Sequence, residues 1–307
     1  MELTWPIKIR IGLAAAVGIV LLGIFAWPLV TPDEPMAVVS VVNGAISSSN
    51  IMALIGLAFV CGIVSYFLAW PYGKQIGVLA APAGLAYLAA KSSNMGTLFQ
   101  ANPLIVEREQ IFSKMCWEGF LWLSVVAAGL LGVFIASQII HPAKPEEVEK
   151  SSAKKDKTVK RDAAYFLNIL LAVAGSVFVA QFFIGIFARD FSIEDAQAGH
   201  IIGHPATTHI IFALLMSFGI AGFLVKMFLK SDYISVIVST AIITPFSVIV
   251  YGRPDVISYF AGMWPSVFFP SAALAILPIQ TAAFGTIGAI AGYWMAVKYE
   301  YWQKGNI

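Results

Sequence analysis

Apolar residues run along this chain in long blocks separated by short polar breaks, without the strict alternation of a half-buried strand. A helix that crosses a bilayer needs about 20 predominantly apolar residues. Eight blocks fit: Ile11–Val30, Ile51–Trp70, Ile76–Ala90, Gly119–Ile140, Ala163–Ala188, Thr207–Val225, Tyr233–Tyr251 and Ser271–Val297. The third is short. It reads either as a span lengthened by snorkelling of Lys91 or as a re-entrant segment.

One long stretch breaks the pattern. Residues 141–162, HPAKPEEVEKSSAKKDKTVKRD, have no apolar periodicity and read as a charged tether. The tether divides the chain into a first half, 1–140, and a second half, 163–307. The expected fold is therefore an all-α integral membrane protein with eight transmembrane helices in two four-helix halves. The halves share a plan: a span, an outer loop, a tight inner hairpin, an aromatic outer connection and a fourth span. Gly23-Ile24-Phe25-Ala26 recurs as Gly185-Ile186-Phe187-Ala188, and Cys61-Gly62-Ile63 resembles Phe218-Gly219-Ile220. The third spans carry Pro82 and Pro245. An even number of spans per half makes such an internal repeat parallel, about an axis along the membrane normal.

Composition changes the picture little but excludes much. Hydrophobic residues make up 59% of the 307 and charged residues 12%, with a mean hydropathy of +0.82. Soluble domains carry about 25% charge, so neither a soluble enzyme nor a disordered chain fits. A net charge of +2 offers no basic surface for nucleic acid. Charge placement adds orientation. With the N-terminus inside, 14 of the 19 Lys and Arg residues fall on inner segments, which predicts cytoplasmic termini. The tryptophans fall near the two boundaries, as an aromatic belt requires. The first block ends Trp27-Pro28 with no small-residue cleavage site, so it reads as a retained signal anchor. The expected location is a plasma membrane of bacterial or archaeal type, with the lipid bilayer as the first partner. Two cysteines, Cys61 and Cys116, read as packing residues.

Candidate chemistry is sparse. The span interiors, as delimited above, hold no Asp, Glu, Lys or Arg. That argues against a proton- or sodium-coupled transporter built on a buried carboxylate. On the seventh span Thr240, Thr244 and Ser247 share one face. They read as a polar lining beside Pro245 or as hydroxyls bonded to helices. Small residues recur at Ala128, Gly132 and Ala136 and at Gly285, Ala289 and Gly292, as close helix packing requires. Three of the four histidines, His200, His204 and His209, lie in GHIIGHPATTH. Imidazoles four and five residues apart on a helical turn, with Asp195 nearby, are a candidate copper or zinc site.

The two-half plan resembles that of the haem A synthase family. The family's ligand histidines lie in helices of both halves, and here none precedes His141, so the resemblance carries the plan without the haem ligands. Asp195, His200 and His209 loosely resemble the outer Asp/His cluster of copper membrane monooxygenases. Asn102–Lys114 reads as an amphipathic helix on the outer surface, and Gly252–Pro270 as an aromatic outer loop. Phosphate-loop, nucleophile-elbow and zinc-protease motifs are absent. The readings, in order, are a non-catalytic transmembrane subunit packed against other membrane-protein subunits, a permease or channel for a neutral solute, and a metal-dependent membrane enzyme or metal-binding subunit.

Overall fold

The structure is a computed structural model. It describes residues 5–32, 38–42, 46–102, 104–140, 158–188, 191–195, 199–203, 205–256, 258 and 272–305. The described chain is helical, apart from one short antiparallel ribbon.

The first long helix is α1 (Trp5–Gly18), continued by a π-helical stretch at Ile19–Phe25 and then by a four-residue helix, α2 (Trp27–Val30). Helix α3 (Ser48–Leu68) begins with a serine cap: the Asn50 N–H donates to Ser47 Oγ at 3.3 Å. Asn50 Nδ2 then donates to the Leu29 carbonyl at 2.9 Å, tying the start of α3 to the end of α2. The expected third span is in pieces: α4 (Gly73–Ile76), a 3-10 turn at Gly77–Leu79 and α5 (Ala80–Lys91). Pro82 therefore sits in the first turn of α5, where a missing N–H costs little. Lys91 Nζ rests 4.1 Å above the Trp27 ring centroid, a cation–π contact at the end of α5. A short α6 (Met95–Ala101) leads into α7 (Ile105–Ile140).

Helix α8 (Thr158–Phe187) begins inside the expected tether, whose last five residues, 158–162, are helical and whose residues 141–157 lie outside those described. Next come strands β1 (Phe191–Asp195) and β2 (Gly199–Gly203), paired antiparallel. Helix α9 (Thr207–Leu224) widens into a π-helical end at Val225–Leu229. Lys230 turns the chain with φ 50°, the left-handed conformation common after helix ends. Asn168 Nδ2 donates to the Leu229 carbonyl there, at 2.9 Å. Helix α10 (Tyr233–Tyr251) follows, then a 3-10 turn (Ala272–Ala275) and α11 (Pro278–Gly305).

Among the described residues, six helices are long and apolar enough to cross a membrane: Trp5–Phe25, Ser48–Leu68, Val106–Ile140, Tyr165–Phe187, Thr207–Leu229 and Tyr233–Tyr251. The chain is thus a multi-pass helical membrane protein with large apolar side chains such as Phe25, Met52, Phe178 and Ile249 turned outward. The expected third and eighth spans do not meet that standard. The third is broken at Gly77–Leu79, and α11 dilutes its apolar residues with Gln280, Thr281, Thr286 and four glycines. Most of α5 and the first part of α11, as far as Ile290, are buried, whereas the end of α11 turns Met295, Tyr301 and Trp302 outward. Helix α5 packs against α1, the π-helical stretch and α11, and α11 packs against α5, α7, α9 and α10. A stretch wrapped by other helices need not be apolar throughout.

The small faces mark the closest approaches. A Cβ on Gly132 would collide with the Phe59 carbonyl, and one on Gly62 with the Gly129 carbonyl, which locks α3 to α7. A Cβ on Gly292 would collide with the Gly219 carbonyl, and one on Gly222 would meet the Ala289 carbonyl at 2.6 Å, which locks α9 to α11. Helix α7 also differs from expectation. It starts fourteen residues before Gly119, so the amphipathic outer segment is its first part, with Ile111, Phe112 and Met115 buried. Arg108 of that segment is buried too, its Nε donating to the Asn102 carbonyl at 3.3 Å.

Candidate functional site: two polar interiors

The earlier start of α7 brings a carboxylate inside. Glu118 is 3% exposed, in a helix whose span covers Val106–Ile140. It stands one residue before the block Gly119–Ile140, which itself holds no Asp, Glu, Lys or Arg. Trp122, one turn on, is fully buried and donates through Nε1 to Glu118 Oε1 at 2.9 Å. Its place is thus in the protein core, not in a lipid-facing belt. The other oxygen is met from the outer connection. Ser40 stands in Val38-Val39-Ser40-Val41-Val42, whose valines fold it inward, and donates to Glu118 Oε2 at 2.6 Å. Its oxygen accepts the Val42 N–H at 3.1 Å, and the Val41 N–H bonds the carboxylate as well. Ser92 Oγ holds the same loop by accepting the Val39 N–H at 3.0 Å. Both carboxylate oxygens accept a side-chain hydrogen bond, so this group is a finished latch between a loop and α7.

The second interior surrounds the start of α11. Residues Ala273–Ala283 are all buried. The 3-10 turn ends at Ala275, and α11 opens at Pro278, so a helix N-terminus lies inside the protein. Proline at this first position is favourable, because its N–H would be unpaired anyway. The Gln280 side chain reaches back, and its Oε1 accepts the Leu277 N–H at 3.1 Å, half of a capping box. Its Nε2 has no partner among the described residues, with Gln280 only 1% exposed. The hydroxyls of Thr286 in α11 and Ser217 in α9 are likewise buried and unpartnered among the described residues. Buried polar atoms almost always have a partner.

On α10, Thr240, Thr244 and Ser247 are all buried. Its hydroxyls bond their own helix, Thr240 Oγ1 to the Ile237 carbonyl at 2.7 Å and Ser247 Oγ to the Ile243 carbonyl at 2.7 Å. Ser247 also reaches Gln181 Oε1 of α8 at 3.1 Å. Thr240 adjoins the second interior, since its Cγ2 lies 2.9 Å from where a Gly285 Cβ would stand. Across the other side of α10, Gly119 meets the Ala241 carbonyl, one residue from Glu118.

The histidine segment folds otherwise than as a helical turn. His200 lies in β2, opposite Glu194 in the backbone register, and Asp195 pairs with Gly199. His209 is exposed in the first turn of α9. His204 and the side chains of Asp195 and His200 lie outside the described residues. Among the described residues no group of three His, Cys, Asp or Glu could hold a metal ion. Cys61 and Cys116 are free thiols.

Comparison with family models, curated proteins and solved structures finds no match for this chain.

Both interiors left a trace in the sequence. A serine between pairs of valines, and Glu followed by Trp at i+4, are the marks of the first. Leu-Pro-Ile-Gln, a proline start with Gln at the third helical position, marks the second.

Proposed function

We propose that the chain is a membrane transport protein of two related four-helix halves that carries a small polar solute between them. The observation that carries this reading is the buried α11 N-terminus with the Gln280 Nε2, which has no partner among the described residues. Irregular backbone at membrane depth is tolerated where it is buried in protein, and in transporters such broken helices bind the solute.

The two-half plan draws support from one register. The pair Gly62 and Gly129 becomes Gly222 and Ala289 on adding 160 to each number, and Phe59 with Gly132 becomes Gly219 with Gly292. In both halves the second long helix thus meets the fourth through the same carbonyl contacts. The contacts between halves are reciprocal as well: α5 with α11, and α7 with α10. On this plan α5 and α11 complete eight crossings.

Flux into proteoliposomes tests the reading. Stopped-flow light scattering with glycerol, urea and sodium acetate should show permeation above that of empty liposomes for at least one solute. Background flux for all three, from protein with native tryptophan fluorescence, would remove it. Co-migrating subunits in a native gel after mild extraction would favour the subunit reading instead.

A further inference from the structure

We infer that the buried start of α11 is a binding site for a small carboxylate-bearing solute, an inference that rests on the transport reading and names its substrate class. The chemistry follows from three features of Leu277–Thr281. A helix N-terminus carries roughly half a positive charge and favours anions, and α11 is 28 residues long. Leu277 and Pro278 expose that end to the interior of the protein rather than to water: both are buried, as are Ile276 and Ile279. Gln280 then supplies a donor aimed at the same spot. Its Oε1 is held by the Leu277 N–H at 3.1 Å, which fixes the amide at the helix mouth and leaves Nε2 beside it with no partner among the described residues.

A donor and a positive dipole end, both dehydrated, call for an acceptor with negative charge. A carboxylate oxygen supplies both. A divalent anion does not suit the site, because the dipole alone compensates only part of one charge. The Gln280 and Thr281 N–H groups already bond the Leu277 carbonyl, at 2.9 and 3.1 Å, so the amide of Gln280 is the principal hydrogen-bonding contact.

The test uses the full chain in lipid nanodiscs, with sodium acetate as the probe and with acetamide and sodium chloride as controls at constant ionic strength. Acetate should raise the thermal midpoint in a saturable way. In Gln280→Met, which keeps the volume and loses the donor, the apparent affinity should fall at least about tenfold. Gln280→Glu keeps the acceptor for the Leu277 N–H and sets a carboxylate in the mouth, so it should abolish the acetate response while folding normally. An equal response to acetamide or to chloride overturns the inference, as does an acetate response unchanged in both variants. No response in the wild-type chain overturns it too, and assigns the Gln280 amide to a buried water. Counterflow of labelled acetate in proteoliposomes separates the two levels: acetate binding with background flux of acetate, glycerol and urea alike leaves the site standing and removes the transport reading.

Discussion

The two polar interiors differ in how completely they are bonded. Around Glu118, three donors converge on two carboxylate oxygens, and one serine both accepts from the loop and donates to the helix. Around Gln280 an equally buried amide uses its oxygen and leaves its nitrogen without a partner among the described residues. Both lie on helices held by the same kind of glycine-to-carbonyl approach. Close packing of backbones therefore does not decide whether an interior is finished. The side chains do: a closed network rigidifies its surroundings, and a partly closed one holds a place for something that comes and goes.

The largest test of this contrast attacks what the two regions share. Gly132→Leu and Gly292→Leu drive side chains into the Phe59 and Gly219 carbonyls. Each should cost about 3 kcal/mol or more, or prevent folding, as measured by thermal unfolding in detergent. Gly56→Ala and Gly175→Ala, which meet nothing within 4 Å, should leave the midpoint unchanged or slightly raised. A smaller effect separates the regions. Glu118→Leu strands the Ser40 hydroxyl and the Trp122 indole N–H, at about 2–4 kcal/mol. Glu118→Gln, which keeps one acceptor, should cost less. If both variants unfold like the wild type, the latch is not a latch.

The sign then reverses. Thr286→Val removes a buried hydroxyl that has no partner among the described residues and keeps the shape, so it should be neutral or stabilise by about 1 kcal/mol in chemical denaturation. A clear loss of stability would show that the hydroxyl has a partner after all. Smallest of all, Ser247→Ala should change stability by less than about 1 kcal/mol, because its hydroxyl bonds its own helix, and loss of the reach to Gln181 is offset by burial of a methyl.

Much of this was legible in the chain. Tyr233–Tyr251 forms as drawn because its mean apolar character runs the full width of a bilayer, and the glycine faces could be read because close approach demands small residues at every fourth position. Helix α11 was legible as a helix but not as an interior one. Its dilution by Gln, Thr and Gly is set by what surrounds it, and single-sequence hydropathy sees no surroundings. Glu118 was hidden for a related reason. An apolar block ends where a carboxylate stands, yet the helix runs on through Arg108, and Ser40 and Trp122 bring the carboxylate into the core from 78 residues away and from the next turn. The backbone around His200 is extended rather than helical because 199–203 pairs with 191–195, a strand pairing that the spacing of the histidines does not reveal.

Helix α7 is an unbroken rod of 36 residues, about 54 Å at 1.5 Å per residue, where a bilayer core is about 30 Å thick. In mechanical terms it is an axle without a joint. It carries no proline and, from Ile105 to Ile140, no π-helical or 3-10 turn at which torsion could be absorbed. A twist applied at its first turns therefore arrives together at the Glu118 latch, at the Gly129 and Gly132 seam and at Ala241 across from Gly119. The first helix and α9, with their π-helical stretches, have compliance along their length, and α7 has none. Any motion of the helices packed on α7 must turn about this axle or carry it whole.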